Sequence, residues 1–490
     1  MINTVYELIT DVMAKQYPDR VAFRYVAADG KTVVEKTYAQ YVQDIRRAVT
    51  YFKENIPDIK GKRVGIMSRN CYEYGVNSFG AILAGAVVVT INQKKTWPEL
   101  EYELGLVEPS LIVNDGIDYG CRPDIEAAYG DKLRPMDAFK DSAPAELVDC
   151  VGHDDLIVLM FTSGTTGRSK AVMLSERNFF TTVECQVKFG DAMLDYKHEH
   201  MPEDKNDVLS NFAILPLFHL GTFICLFVWA CKGWALNLSA DIRDFYRDLG
   251  LMHSDVMASA PMLVETIYND MKRGRVSRLN GLWDLCCSSA ALDPRMLLEL
   301  AQNGFVVNQC YGMTETFGDG ILNFTQVEKH MSAVGKPDDH VQYKLDETGE
   351  ICIKGDCVML GYYKDPEATA EVIDADGWFH TGDLARMDEE GFYYITGRKK
   401  NLIILASGEN VSPEELEKKL ALCPAITECI VKEKSQKICA VIYCPEDKQE
   451  EVRAFVTEAN RSLPLYKRIS AVEFTAEPLP RNALGKLLRK

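Results

Sequence analysis

Leu156-Ile157-Val158-Leu159-Met160-Phe161-Thr162 runs without a break into Ser163-Gly164-Thr165-Thr166-Gly167-Arg168-Ser169-Lys170. The first part is a short apolar run that fits a buried strand. The second part has the chemistry of an anion cradle. Gly164 and Gly167 let backbone N–H groups turn towards one point. Hydroxyls on Thr162, Ser163, Thr165 and Thr166 add donors, and Lys170 adds a positive charge. The spacing from Gly to Lys is not that of the GxxxxGK[ST] loop. Taken alone, the segment reads either as a phosphate loop or as a flexible Ser/Gly/Thr connection.

Upstream of this loop, short apolar runs alternate with amphipathic stretches. Residues 37–55 have helical spacing, and Arg63–Met67 (RVGIM) reads as a buried strand. Residues 73–84 read as a helix, 86–91 (AVVVTI) as a strand, 99–106 as a helix and 111–113 as a short strand. This alternation predicts parallel α/β layers. A second α/β pattern starts near Leu156 and continues past Tyr311. From about Glu350 the texture changes. GEICIKGDCVMLGYY and GWFHTGDLARMDEEGFYYITG combine Gly and aromatics in short alternating runs, the mark of antiparallel strands and tight turns. After GRKK at 397–400 the pattern becomes a compact α+β unit: helix 413–422, strands 428–432 and 438–443, helix 448–462. A domain boundary is expected near 398–400. No internal repeat or low-complexity tract is visible.

At 490 residues the chain exceeds what one core usually supports, so a large multi-layer body and at least one further module are expected. Apolar residues at 47% and charged residues at 26% suit a soluble globular protein. A formal net charge of -17 argues against nucleic acid or an anionic membrane as partner, yet leaves room for a local basic patch facing a phosphate-bearing ligand. The 15 cysteines lack CxxC or Cys/His metal spacing and read as reduced, buried thiols of a cytoplasmic protein. MINTVYELITDVMAKQYPDR, at the start, reads as an amphipathic helix with acidic residues, not a signal peptide. The most apolar stretch, 212–238, is interrupted by Pro216, His219, Gly221, Lys232 and Gly233. It reads as buried strand and helix, with no membrane span.

TSGTTGRSKAVMLSERN, residues 162–178, resembles the signature loop of the adenylate-forming (AMP-binding) superfamily. That superfamily includes acyl-CoA synthetases, aryl-CoA ligases, peptide-synthetase adenylation domains and luciferases. Other motifs follow in its order. Tyr311-Gly312-Met313-Thr314-Glu315 resembles the YGxTE motif. The resemblance implies that Tyr311 stacks on adenine, Thr314 contacts the α-phosphate and Glu315 helps hold Mg²⁺, a hard carboxylate for a hard cation. Ser289, Ala290 and Ala291 stand where many relatives have a glycine-richer adenine loop. With Gln309, Cys310 and Gly312 they complete the implied nucleotide set. Residues 349–363 resemble the GEIxxxG…GY segment, and Thr381-Gly382-Asp383 resembles TGD, where Asp383 would accept from the ribose hydroxyls. Arg398 matches the arginine that reaches ribose and phosphate. Pro480, Gly485 and Lys486 resemble the terminal PxxxxGK motif, with Asn482 in place of a common Thr. Lys486 would neutralise charge as a carboxylate attacks the α-phosphate. A lone TGD or GRK carries little weight; the ordered set carries much.

The resemblance covers nearly the whole chain and is closest to fatty acyl-CoA synthetases. It implies a large N-terminal domain, 1–397, of layered α/β sheets plus a distorted β-barrel. A small mobile α+β lid, 398–490, would follow, hinged near Lys400. The lid would swing between adenylation, with Lys486 in the site, and thiol transfer, with the Gly408 hairpin there, where glycine lets the pantetheine arm pass. The implied catalytic set is Lys486, Thr165, Glu315 and His219; the implied cofactors are ATP, Mg²⁺ and coenzyme A.

The partner is expected to be a small carboxylic acid. Peptide-synthetase relatives pair an Asp with the substrate amine in the segment corresponding to LPLFHLGTF, residues 215–223, where this chain carries His219. That argues against α-amino acids. His219 is equally readable as a core or gating residue. Apolar walls around 212–227 and 317–322 suit a fatty or other apolar acid, while Asp319 could bind a polar group or be solvated. The thiol acceptor is read as coenzyme A, or alternatively as an acyl or peptidyl carrier protein. A non-catalytic nucleotide- or acyl-binding protein, and luciferase-like oxidation, are the readings from other classes.

Overall fold

The runs of the first third of the chain pair as predicted. Arg63–Met67 lies between Val87–Thr90 and Leu111–Asn114, parallel to both. Leu156–Thr162 adds beyond Val87–Thr90, and Leu133–Pro135 beyond Leu111–Asn114. The central strands are buried along their length, which is why they read as continuous Val/Ile runs and not as alternating ones. Helices Tyr72–Leu83 and Trp97–Val107 make the crossovers. Lys170–Ser175 then turns back antiparallel on Leu156–Thr162, and Gly361–Tyr362 completes seven strands at that edge. The candidate phosphate loop therefore joins two strands where the sheet changes from parallel to antiparallel. In this computed structural model the described residues are 2–162, 168–201, 203–204, 206–288, 292–318, 320–323, 328–405, 410–434, 437–481 and 487.

The second α/β pattern forms an eight-stranded sheet. Val306–Gly312, Asp284–Cys287, Val256–Ser259, Ser210–Ala213, Ala235–Leu238 and Val21–Val26 run parallel in that order. Antiparallel strands Gly320–Leu322 and Val33–Thr37 close its two edges. The hairpin of Val21–Val26 and Val33–Thr37, turning at Asp29-Gly30, is an additional element; its turn is a local signal, and only its pairing with Ala235–Leu238, some two hundred residues further on, lacks one. The N-terminal helix is present but changes character: α-helical over Val5–Glu7, it widens to π geometry over Leu8–Gln16. Stretch 212–238 is strand and buried helix, as expected. Among the described residues, no helix is long and apolar enough to cross a membrane.

The main core fills the space between the two large sheets. Helix Tyr38–Asn55, started by a Thr37/Gln40 capping box, packs so closely on Tyr72–Leu83 that a Cβ on Gly80 would lie 2.4 Å from Ala48 Cβ. An aromatic chain runs through it: Phe79 to Phe227 (4.8 Å between centroids), Phe227 to Phe179 (4.5 Å) and Phe179 to Phe317 (3.7 Å). Its last ring stands directly behind the YGxTE segment.

Residues 342–398 form the expected antiparallel element, ordered Gln342–Leu345, Glu350–Lys354, Phe379–Met387, Tyr393–Arg398. Bridges Gly335–Tyr393 and Leu322–Lys336 curl it back to the edge of the eight-stranded sheet. Beyond it, helices Pro413–Leu420 and Gln449–Arg461 pack with strands Glu428–Lys434, Lys437–Tyr443 and Ala471–Thr475 around a core of their own. Ala471–Thr475, parallel to Lys437–Tyr443, had not been read from the sequence. All 15 cysteines are free thiols.

Asp284 is fully buried at the start of its strand, where Asn308 Nδ2 donates to Oδ2 at 2.7 Å and Oδ1 has no partner among the described residues. Burial holds its carboxyl far above the usual carboxylate range; the Asn308 bond opposes this only in part. A carboxyl raised on folding contributes its full stability below the unfolded value and loses it as pH climbs towards the folded one. This group thus costs the wild type up to about 1.4 kcal/mol per pH unit above ~pH 4. Asp284→Asn, neutral throughout, should unfold close to wild type at about pH 4.5 and several degrees higher at about pH 8 by scanning calorimetry.

Candidate active site

The site is assembled from the ends of three sheets. Asp383 and Arg398 face each other as register partners on adjacent antiparallel strands, and Arg398 Nε approaches Asp383 Oδ1 at 2.6 Å. From the eight-stranded sheet, the Tyr311 hydroxyl donates to Asp383 Oδ2 at 3.1 Å. Asp383 is only 4% exposed, and a buried carboxylate of this kind survives only with such partners. The turn leading to it is held just as closely. Gly382, at φ 72, donates its N–H to Glu350 Oε1 at 2.7 Å. Thr381 Oγ1 donates to the Ile351 carbonyl (2.8 Å) and accepts from the Asp383 N–H (3.1 Å). Lys399 Nζ donates to Glu350 Oε2 at 2.6 Å.

Thr314 opens a single helical turn, Thr314–Thr316, which ends on Phe317 at φ 51. A bulky residue in the left-handed region is strained. The buried Phe317 ring, tilted against Phe179 with centroids 3.7 Å apart, supplies the packing that holds it there. The Met359 N–H donates to the Glu315 carbonyl at 2.8 Å, and the Tyr362 hydroxyl donates to Glu315 Oε1 at 3.0 Å. Burial pushes the Glu315 carboxyl up, with Tyr362 and Arg398 among the groups that oppose the rise and Asp383 adding to it. Glu315 therefore shares one electrostatic space with Arg398 and Asp383. Lys170 Nζ lies 4.7 Å from the Tyr362 ring centroid, and Thr162 is the register partner of Lys170. Lys170, Tyr362 and Glu315 thus form one contact cluster and Tyr311, Asp383 and Arg398 another, with the charges of Arg398 and Asp383 felt at Glu315. A hard carboxylate raised by burial in such a setting is a fitting donor for Mg²⁺, whose charge would favour its anionic form.

The remaining predicted residues divide into three groups. Gln309 is buried as a brace: its Oε1 accepts from the Leu292 N–H (3.2 Å) and its Nε2 donates to the Met331 carbonyl (2.6 Å). Cys310 Sγ lies 3.1 Å from Cys286 Sγ on the neighbouring strand. Gly312 passes so near Gly318 that a Cβ would meet its carbonyl oxygen at 3.0 Å. His219 caps the short helix Leu220–Phe223; its buried Nε2 has no partner among the described residues, and burial, then Lys95, lowers the imidazole to about 4. It is neutral at ordinary pH. Ser163, Gly164, Thr165, Thr166, Gly167, Ser289, Ala290, Ala291, Asp319, Gly408 and Lys486 lie outside the described residues.

Four supporting residues had no assigned role in the sequence reading. Glu350 and Tyr362 sit inside the quoted GE and GY motifs, so the signal was there without a role. Asn178, capping the long helix Glu176–His200 with Ser175, sends Nδ2 to the carbonyls of Asp356 (2.7 Å) and Val358 (2.8 Å), fixing the loop that reaches Glu315. Lys95 pairs with buried Glu103 and reaches Ser169 Oγ at 3.3 Å. In the sequence NQKKT it looks like a solvated charge run.

The family model of the AMP-binding enzymes matches residues 11–363. A feruloyl-CoA synthase of Amycolatopsis sp is 31% identical over 88% of this chain and 88% of its own. A long-chain-fatty-acid–CoA ligase of Salmonella typhimurium is 28% identical over 97% of this chain and 92% of its own. The solved O-succinylbenzoate coenzyme A synthetase of Bacillus subtilis, in complex with AMP, superposes with a TM-score of 0.80 at 23% identity, over 99% of this chain and 97% of that one. The chain belongs to the AMP-binding enzyme family.

Asn178→Ala would remove the side-chain donor from the carbonyls of exposed Asp356 and half-buried Val358. It should lower stability by about 1–3 kcal/mol, read as a fall in the urea midpoint at unchanged slope.

Proposed function

We propose that this AMP-binding enzyme joins an apolar carboxylic acid, fatty or aryl, to coenzyme A. The acid's oxygen attacks the α-phosphorus of ATP and the bond to pyrophosphate breaks, leaving an acyl-adenylate. The thiol of coenzyme A then attacks the acyl carbon and AMP departs. The observation that carries this reading is the grouping of the motif residues into two contact clusters, Tyr311 with Asp383 and Arg398, and Glu315 with Tyr362 and Lys170.

In this reading Tyr311 offers its ring to adenine while its hydroxyl stays on Asp383. Asp383 and Arg398 orient the ribose, and Thr314 meets the α-phosphate. Glu315 would hold Mg²⁺, which supplies charge neutralisation at the phosphates. The loop with Thr165 cradles the phosphates, and Lys486 steadies the charge as the acid attacks. Residues from 398 act as the lid, turning at Lys400.

The acid class rests on three supports. Phe218, Leu220, Phe223 and Phe227 make the 212–227 segment buried and apolar. His219 is neutral and offers no carboxylate to a substrate amine. The relatives are named for feruloyl and long-chain fatty acids.

Pyrophosphate release from ATP, measured across fatty, aryl, bile-type and amino acids with and without coenzyme A, tests the reading. An apolar acid should give release that coenzyme A accelerates, and Lys486→Ala should cut it ~10²–10³-fold, the scale of one lost electrostatic contact in a transition state. Release indifferent to coenzyme A would point to a carrier-protein acceptor. Release with amino acids alone, or with none of the acids, would sink the proposal. In the same preparation, Asp383→Ala should weaken AMP binding at least ~10-fold by calorimetry, the loss expected of a charge-assisted hydrogen-bond pair.

A further inference from the structure

Behind the nucleotide cleft, on the far side of the Thr381–Asp383 turn, four metal-ligating side chains converge. Glu350 and Cys352 project from alternate positions of one strand, and His380 is the cross-strand register partner of Cys352. Asp346 stands in the turn just before. One donor atom from each lies within 4.8 Å of the others. His380 Nδ1 is 3.5 Å from Cys352 Sγ and 3.5 Å from Glu350 Oε2. Bond lengths typical of Zn²⁺, ~2.1 Å to nitrogen or oxygen and ~2.3 Å to sulfur, place tetrahedral neighbours roughly 3.4–3.6 Å apart. The two edges from His380 match that figure, and the remaining donor atoms lie within 4.8 Å of one another.

The surrounding contacts aim these atoms. Asp374 Oδ2 lies 3.2 Å from His380 Nε2, a carboxylate behind the imidazole that leaves Nδ1 facing the cluster. Glu350 Oε1 is taken by the Gly382 N–H, which leaves Oε2 inward. Asp346 Oδ1 accepts from the Thr348 N–H (2.8 Å), Thr348 Oγ1 (2.7 Å) and the Glu350 N–H (2.8 Å), which leaves Oδ2 inward. Glu350 and Cys352 are buried, whereas the His380 side chain is 33% exposed and gives a path in. A cation already answers this field: Lys399 Nζ sits 2.6 Å from Glu350 Oε2 and 3.7 Å from Asp346 Oδ2.

We propose that Asp346, Glu350, Cys352 and His380 bind a divalent transition-metal ion of the Zn²⁺ class, in exchange for the Lys399 ammonium. A set with thiolate, imidazole and carboxylates selects zinc-like ions over Mg²⁺ or Ca²⁺. On binding, the Cys352 S–H bond breaks and a metal–sulfur bond forms; the proton passes to buffer, and Lys399 swings to solvent still protonated. Lys399 directly follows Arg398, so occupancy of this site bears on the strand end that carries the Asp383 partner. The inference stands on this cluster alone and does not depend on the reaction proposed above.

Co²⁺ titration of the full-length protein tests it, because cobalt in such a site shows visible tetrahedral bands and a near-ultraviolet thiolate band. Both bands should grow to saturation and bleach when Zn²⁺ is added. Cys352→Ser should abolish the thiolate band. Asp374→Asn, which leaves all four ligands in place, should weaken binding ~10–100-fold. Lys399→Met should tighten it several-fold by removing the competing cation. A wild-type spectrum without the thiolate band, a band that survives Cys352→Ser, or equal affinity with and without Lys399 overturns the proposal. Circular dichroism of each variant guards against misfolding, and Asp374→Asn keeps the test open if Cys352→Ser does not fold.

Discussion

The carboxylate of Asp383 is the constraint on which the cleft depends. It is buried, charged and held from two sides, by Arg398 on the adjacent strand and by Tyr311 from another sheet. Removing Arg398 would take away the cation that balances this buried charge, and removing Tyr311 one of its hydrogen-bond donors, both costly in a poorly hydrated place. The pairing therefore fixes more than one side chain. It docks the curled antiparallel sheet on the edge of the eight-stranded sheet and sets the plane of the Tyr311 ring. Glu350 repeats the arrangement one layer back: its two oxygens hold the Gly382 N–H and Lys399.

The opposite wall of the cleft is governed by packing instead of charge. The aromatic chain from Phe79 through Phe227 and Phe179 ends on Phe317, whose left-handed backbone would be unfavourable without that burial. The packed ring holds the strained turn, and the turn presents Thr314 and Glu315. A carboxyl set at this boundary between apolar core and open cleft is raised by desolvation yet surrounded by Tyr362 and Arg398.

Much of the fold was legible because the local signals agreed with the global arrangement. Arg63–Met67 and Leu156–Thr162 have the boundaries read from their apolar runs. The helix expected over 37–55 spans Tyr38–Asn55, because Thr37 and Gln40 spell out its cap. Long-range pairing has no local signal. Val21–Val26, whose own hairpin turn at Asp29-Gly30 is local, pairs with a strand about two hundred residues away, and Ala471–Thr475 pairs with Lys437–Tyr443 across an intervening helix. Lys95 and Glu103 look like surface charges until the helix places one beside the other. For the site, the motif residues came from resemblance, while their supports, Asn178 and Glu350 among them, emerged only from the hydrogen bonds they make.

By itself the sequence determined the element types, their order, the change from parallel α/β layers to antiparallel strands, and the family. These are encoded in periodicity, caps and contiguous motifs, which operate over a few residues at a time. Tertiary structure decided which charged and aromatic side chains meet. Tyr311, Tyr362 and the Asp383/Arg398 pair come from three different sheets and Glu315 from a helical turn, and no spacing along the chain states which of their atoms meet. Protonation was likewise decided there. Burial raises the Asp284 carboxyl well above its usual range and lowers the His219 imidazole to about 4, and burial is a property of the assembled molecule.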